Sequence, residues 1–418
     1  MVTPPVVAEF QWVESTDHFE PGSLAHRLLS VCVRTILVRH LRSRQSMCKF
    51  KIGDQISVSL ANLIYLTLFT FFASSVVADP LLQPFELHAP LEAESTFPSS
   101  GAALADPMEQ LMRAVVRVDA QVPQRARTAT SYGRERSGTG VVLDSNGLIL
   151  TVGYIVAEAS SVMVTFSDGE KVASEILAYD HASGVALLRA NKSAATKPIK
   201  LASADAGKKD QHALIIPFDG VEAARAVKIG KIKKFTSGWE YVMDDAIHTY
   251  PPSTDFAGSA LLSQTGELLG IGALVTIDID IDPKVRIPGN VFIPVTAVKD
   301  ILGDLLTNGR SEESQRPWIG LHLKETKEGI KVSAIEDGSP AAQSGIEAGD
   351  IIVAVEQRKL KSLNHFYHKV WSEHEPGDKI HLLIVRDDHY SNVPVETVDL
   401  YSWLNLNEGT PAITELVD

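Results

Sequence analysis

The chain has 418 residues, a net charge of −13 and only 2 cysteines, so a disulfide framework is excluded. A hydrophobic content of 44% and a charged content of 22% exclude a disordered or fibrous chain, and the length favours two or three domains. The acidic balance argues against nucleic acid as a partner, because phosphate binding requires a basic field.

An uncharged apolar run, 60–77, follows a basic flank and ends close to the small residue Ala78. This pattern predicts a signal peptide over residues 47–78, cleaved after Ala78. The run is also just long enough to span a bilayer, so an uncleaved inner-membrane anchor is the alternative. In both cases the rest of the chain is expected to be periplasmic or otherwise exported. Residues 1–46 are a doubtful N-terminal extension: either translation starts at Met47, or a basic cytoplasmic segment precedes an anchor.

Residues 79–107 are rich in proline and predict an extended linker. From 108 to 309 the sequence predicts short β-strands separated by turns, closed by a helix over Val295–Leu306. One hairpin is marked by an Asn-Gly turn between Val141–Leu143 and Leu148–Leu150. Strands at this spacing are typical of a sandwich or a barrel.

A further unit is predicted over residues 310–400, beginning with a polar linker at 310–316 and continuing with strands and two helices. Ser339 and Pro340 suit the cap and first position of a helix. Residues 401–418 are predicted to be a C-terminal tail.

Three motifs of the middle unit, Gly138–Val142, Gly147–Thr151 and Gly266–Ile271, resemble the protease domain of the HtrA/DegP family. Gly338–Ala342 and the Gly-Asp-Ile-Ile that follows resemble the PDZ domain of the same family. The resemblance covers about residues 108–398, in the family's domain order. It implies a mainly β chain, with a trypsin-like double β-barrel followed by an α+β PDZ domain.

The family's catalytic His, Asp and Ser positions are held here by Tyr154, Gly184 and Ala257. Attack on an amide requires a hydroxyl, a base that takes its proton and a carboxylate that orients the base. A phenol with an ordinary pKa of about 10 is a poor base at neutral pH, and the other two positions carry no functional group. Asp255 and Phe256 also alter the oxyanion-hole loop. We therefore predict a proteolytically inactive protease fold, a pseudoprotease.

A second hypothesis is an active periplasmic serine endopeptidase of protein quality control that uses a non-standard catalytic arrangement. Ser259 and His181, beside Asp180, are the candidate substitutes. The arrangement would require His181 within about 3 Å of Ser259. A chaperone-like oligomeric cage is a third class.

The peptide-binding prediction depends on Trp318, Ile319, Gly320 and Leu321, which resemble the family's carboxylate-binding loop. A peptide would present its C-terminal carboxylate to the loop and add as a strand beside the residues that follow. A predicted helix near Leu363–Val370 would supply the other wall of the groove through Leu363, Phe366, Tyr367 and Val370. The alternative is that these apolar residues, Phe366 among them, belong only to the small domain's core. Expected partners are C-terminal peptides or unfolded segments of envelope proteins, with a homo-oligomer or an active relative as further candidates.

Two other sequence patterns do not alter the predicted function. Trp239, Tyr241 and Met243 alternate, which predicts either a lining of the former substrate cleft or one buried face of a strand. The alternating acids around Asp280 lack the glycine and glutamate that a calcium loop requires, so no metal or cofactor is predicted.

Overall fold

The computed structural model describes residues 105–192, 197–203, 205–220, 223–282 and 285–406. These residues belong to one compact unit. The predicted N-terminal extension, the signal peptide with its apolar run and most of the proline-rich linker lie outside the described residues. Within the described part of the chain, no helix is long and apolar enough to cross a membrane.

The first six strands of the described chain close a barrel in the order β1-β2-β3-β6-β5-β4. Helix α1, Ala105–Arg113, precedes the barrel, and α2, Ala129–Tyr132, follows its first strand. The predicted Asn-Gly hairpin joins β2 and β3, and Gly147 makes the reversal possible with a φ of +81°. The strands are Val115–Gln121 (β1), Glu135–Val142 (β2), Leu148–Val152 (β3), Ser161–Thr165 (β4), Lys171–Asp180 (β5) and Val185–Ala190 (β6).

The next six strands close a second barrel in the order β10-β11-β12-β9-β8-β7. Its long hairpin, β8–β9, turns through Ser237–Tyr241, where the backbone N–H and the hydroxyl of Ser237 both donate to the carbonyl of Tyr241. One continuous apolar core is shared by the two barrels. The strands are His212–Ile216 (β7), Arg225–Thr236 (β8), Val242–Tyr250 (β9), Ala260–Leu262 (β10), Leu268–Asp282 (β11) and Val285–Pro294 (β12).

Helix α3, Val295–Asn308, closes the barrel region within two residues of its predicted end. Gly309 caps it in the left-handed conformation, with its N–H donating to the carbonyl of Leu305. The polar stretch that follows is not a free linker. Ser311 and Ser314 are buried and donate hydrogen bonds to the carboxylate of Asp180, at 2.7 and 2.6 Å. The first barrel therefore holds the start of the C-terminal domain.

The C-terminal domain is a small sheet with the path β14-β15-β16-β18-β19, packed around its own core. Ser339 caps the predicted helix α4, Pro340–Gln343, by accepting from the N–H of Ala342. Helix α5, Leu363–Glu373, covers the sheet, and α6, Leu400–Leu404, packs on Trp318, so the folded domain continues past residue 400. Its strands are Pro317–Trp318 (β13), Leu321–Glu325 (β14), Ile330–Ile335 (β15), Ile351–Val355 (β16), Arg358–Lys359 (β17), Lys379–Arg386 (β18), His389–Glu396 (β19) and Val398–Asp399 (β20).

The predicted fold class is confirmed. The described chain consists of two closed antiparallel barrels followed by a small α+β domain.

Candidate functional site

Tyr154, at the predicted histidine position, lies in a 3-10 turn directly after β3. Arg136, itself buried, donates to the carbonyl of Tyr154 at 2.8 Å and thereby fixes this turn. The Tyr154 hydroxyl donates to the carbonyl of Ala273 in the second barrel, at 3.2 Å, and its ring stacks on Tyr132. Burial raises the pKa of the phenol above its ordinary value. The side chain is therefore a neutral hydrogen-bond donor and is unsuited to the role of a base.

Gly184, at the predicted aspartate position, has a left-handed backbone with a φ of +80°. A Cβ atom at this residue would lie 2.6 Å from the phenol oxygen of Tyr241. That phenol donates to the carbonyl of Ser183 at 2.7 Å, and burial raises its pKa. Tyr241, from the β8–β9 turn, thus occupies the space that a carboxylate would need.

Ala257, at the predicted serine position, lies in the turn before β10 and is held by the N–H of Thr139, which donates to its carbonyl at 2.8 Å. A Cβ built on Gly138 would lie 3.4 Å from the Ala257 methyl and 2.3 Å from Cδ1 of Ile155. The serine position therefore lies close to the turn that carries Tyr154.

The three substituted positions meet at that turn. The N–H of Gly153, next to Tyr154, donates to the carbonyl of Gly184 at 2.8 Å. An open cavity of about 170 Å³ lies beside Ala257 and is lined by Asp219 and Asp255 among others. The three substituted positions thus carry a phenol, a bare backbone and a methyl group where hydrolysis would require a base, a carboxylate and a hydroxyl.

One backbone donor of the loop before Ala257, the N–H of Asp255, already faces a partner within the loop. The Asp255 N–H points to the hydroxyl of Ser253 at 3.3 Å. Ser253 is in turn held by the buried amide of Asn290, which accepts from its N–H at 2.7 Å and donates to its carbonyl at 3.0 Å. A backbone N–H that already faces a hydroxyl is poorly placed to stabilise an oxyanion.

The two candidate substitutes, Ser259 and His181, have partners of other kinds. Ser259 is fully buried, and its hydroxyl donates to the carbonyl of Phe256 at 2.8 Å. Burial, assisted by the charge of Arg316, lowers the pKa of His181 to about 3, so its ring is neutral at physiological pH. Asp180 accepts from serine hydroxyls and backbone N–H groups of the domain junction. The hydrogen bond of Ser259 is thus made to backbone, and His181 lies at the junction between domains.

The predicted carboxylate-binding loop presents three consecutive backbone N–H groups. Those of Ile319, Gly320 and Leu321 all donate to the side-chain carboxylate of Glu240, at 3.3, 2.7 and 2.9 Å. Gly320 adopts a φ of +80°, and a Cβ there would lie 2.3 Å from that of Ser339, so the loop requires glycine. A carboxylate of the chain itself therefore occupies the loop.

The same hairpin tip continues along the first strand of the C-terminal sheet. The N–H of Leu323 donates to the carbonyl of Gly238 at 2.7 Å. A Cβ on Gly238 would lie 2.1 Å from the Leu323 carbonyl oxygen, so the two backbones approach closely only because residue 238 is glycine. Val242, two residues beyond Glu240, packs against the core of the C-terminal domain.

Helix α5 supplies the opposite wall; of the two aromatic residues predicted there, Tyr367 contacts the hairpin tip and Phe366 does not. Phe366 is 1% exposed and lies in the core of the domain. The Tyr367 hydroxyl donates to the carbonyl of Ser237 at 2.9 Å and accepts from the N–H of Glu240 at 3.0 Å. Trp318, the first residue of the predicted loop, packs its ring on Trp403 instead of facing the tip.

The Glu240 carboxyl is almost completely buried, at 2% exposure. Burial raises its pKa to about 7, although the three backbone N–H donors and the nearby Arg316 guanidinium act in the opposite direction. Arg316 also donates to the Glu240 carbonyl at 3.1 Å and stacks over the ring of Trp371. The contact between the hairpin tip and the loop is therefore buried, and it brings together Glu240 of the second barrel and Arg316 at the start of the C-terminal domain.

Sequence reasoning missed Glu240 and misplaced Trp239. Tyr241 and Met243 are buried, but Trp239 is 43% exposed at the hairpin tip, so a common buried face is wrong for that residue. The partners of Glu240 lie about eighty residues further along the chain, and no local pattern identifies a contact at such a separation.

Comparison with known proteins agrees with this architecture. A family model for the trypsin-like peptidase domain matches residues 138–271, and one for the PDZ domain matches residues 317–397. A probable periplasmic serine endoprotease DegP-like protein of Pseudomonas fulva is 26% identical over 290 residues, which cover 64% of this chain and 57% of that protein. The periplasmic serine endoprotease DegP of Escherichia coli K12 is 26% identical over 276 residues, which cover 62% and 56%. The chain therefore spans somewhat more than half the length of these curated relatives.

Among solved structures, a serine endoprotease from Yersinia pestis is similar at 22% identity with a TM-score of 0.41, over 70% of this chain and 97% of that chain. The HtrA-type protease AlgW with a decapeptide is similar at 18% identity with a TM-score of 0.42, over 70% and 98%.

Proposed function

We propose that this chain, which belongs to the HtrA/DegP-like family with a trypsin-like peptidase domain followed by a PDZ domain, is a pseudoprotease that binds C-terminal peptides. The observation that supports the loss of proteolytic activity is that Tyr241 fills the Gly184 position. Its phenol oxygen lies 2.6 Å from where a Cβ of residue 184 would lie. A site that has lost only its functional groups can regain them, whereas here the space itself is taken. Tyr154 and Ala257 supply neither base nor nucleophile.

The peptide-binding half is supported by the loop at Ile319–Leu321. Its three N–H groups converge on one carboxylate, as recognition of a peptide's C-terminus requires. Candidate ligands are C-terminal peptides or unfolded segments of envelope proteins, and an active relative or further copies of the chain are candidate partners. The signal-like segment 47–78 and the periplasmic names of the relatives support an exported location.

An active endopeptidase is the second candidate, because the relatives carry the name serine endoprotease. Treatment of the full chain with a fluorophosphonate probe, followed by intact-mass measurement, separates the two candidates. The pseudoprotease leaves every serine unlabelled and casein intact, with trypsin as the reagent control. Stoichiometric labelling at any serine, Ser259 included, would overturn the proposal.

A further inference from the structure

The β8–β9 hairpin tip lies in the groove of the PDZ domain. We propose that Ser237–Tyr241 is an intramolecular ligand of this groove, with the Glu240 side-chain carboxylate in the place of a peptide's C-terminal carboxylate. The inference rests on the proposed peptide-binding function and concerns its regulation: an external C-terminus must displace the tip before it binds.

The first argument is the match of carboxylate to loop. Both oxygens of Glu240 are used, one by Gly320 and Leu321 and the other by Ile319. A peptide's terminal carboxylate has the same two oxygens, and it would need the same three donors. The two carboxylates therefore cannot occupy the loop together.

The second argument is the match of backbone to strand and helix. The Gly238 carbonyl, two residues before Glu240, accepts from the N–H of Leu323 on β14. A peptide that adds to the sheet edge makes bonds of this kind. From the other side, Tyr367 bonds to the backbone of the tip at two points, Ser237 and Glu240. The tip therefore contacts both walls of the groove as well as the loop at its end.

The third argument is local geometry. Glu240 has a φ of +56°, a left-handed conformation that is uncommon for a residue with a side chain. The two hydrogen bonds from Ser237 to the Tyr241 carbonyl close the turn around it. The chain leaves the groove at once and continues as β9, so an internal residue can present a carboxylate where a peptide would end. Strain of this kind persists only where surrounding contacts compensate for it.

The consequence for binding is a reduced apparent affinity. If the tip occupies the groove in about 99% of molecules, an external peptide binds about 100-fold more weakly than it would to the open groove. The ligand class follows from the contact that it replaces: an extended segment with a free α-carboxylate, not an amidated or internal one.

The test measures binding of the full chain to an array of random decapeptides with free C-termini and to a matched array with amidated C-termini. Three forms of the chain are compared: the wild type, Glu240→Gly and Asp244→Asn. Glu240→Gly removes the carboxylate and suits the left-handed backbone. Asp244→Asn is the control, because Asp244 is an exposed acid on the same hairpin, paired with Lys234. We expect Glu240→Gly to bind the free-acid array about 10- to 100-fold more tightly than the wild type, while the control matches the wild type and the amidated array stays weak. Measurable and equal binding of the free-acid array by wild type and Glu240→Gly would overturn the inference.

Hydrogen exchange at the amides of Ile319, Gly320 and Leu321, measured without ligand, tests the contact separately. These amides should be protected in the wild type and in Asp244→Asn and should exchange faster in Glu240→Gly. Unchanged exchange would overturn the intramolecular ligand, whatever the array shows. Faster exchange with no binding to either array would leave the contact standing and would instead overturn the proposed peptide-binding function.

Discussion

Adding a single methyl group at Gly184 should destabilise the first barrel far more than the same change at another left-handed glycine. Gly184→Ala places a Cβ 2.6 Å from the Tyr241 phenol oxygen, which is well inside van der Waals contact. The left-handed backbone costs about 1–2 kcal/mol for a residue with a Cβ. Displacing a buried ring costs about 1–3 kcal/mol more, and losing the Tyr241–Ser183 hydrogen bond about 1 kcal/mol. The expected total is about 3–6 kcal/mol.

Gly169→Ala is the matched control, because Gly169 has a φ of +85° in the same barrel region and open space where a Cβ would lie. It should lose only the backbone component, about 1–2 kcal/mol. Urea unfolding followed by far-UV circular dichroism measures both variants. A cycle with Tyr241→Phe should then show that Gly184→Ala costs less when the phenol oxygen is absent. Equal losses for the two glycine variants would refute the reasoning that Tyr241 fills the aspartate position.

Three further predictions concern the cleft and the domain junction. Ala257→Ser should remain unlabelled by a fluorophosphonate although folded, because Tyr154 at the histidine position is a neutral hydrogen-bond donor that cannot take the serine proton; labelling would contradict this. Asp180→Asn should speed tryptic cleavage after Arg310, since Asp180 anchors the following residues; an unchanged cleavage rate would argue against the anchor. His181 keeps a folded pKa of about 3, below its ordinary 6.5, so protons bind the unfolded state first and stability falls as pH drops below 6.5. Between pH 6.5 and 5 the wild type should lose about 1–2 kcal/mol more than His181→Gln in urea unfolding; equal losses would show that His181 is not buried neutral.

The fold was predictable because its signals are local. The Asn-Gly turn before Leu148, the glycine after Asn308 and the Ser339-Pro340 cap each specify one turn or helix end by their own chemistry. Motif spacing predicted Tyr154, Gly184 and Ala257 as the three triad positions for the same reason, since each follows a recognisable strand or turn.

The contents of the two sites were not predictable in this way. Tyr241 reaches Gly184 from a different barrel, and Glu240 reaches Gly320 from a different domain. In the sequence both residues belong to a segment in which aromatic or apolar residues alternate with others, as in many strands. They acquire their partners only when the two barrels and the C-terminal domain pack against each other. The sequence predicts a helix wall that carries both Phe366 and Tyr367, but which of the two rings faces the groove depends on how the helix is rotated against the sheet.

The packing of Tyr241 against Gly184 also bears on evolutionary reversal. Natural substitutions accumulate singly, and an aspartate at position 184 would meet the phenol before any catalytic benefit could follow. A smaller residue at position 241 would have to come first, and it would leave a cavity in the shared core of the barrels with its own loss of stability. Histidine and serine at positions 154 and 257 would still be needed. On the proposed pseudoprotease function, a return to peptide hydrolysis would therefore pass through several less stable intermediates with no activity to select, so the substitution at position 184 would act as a one-way step.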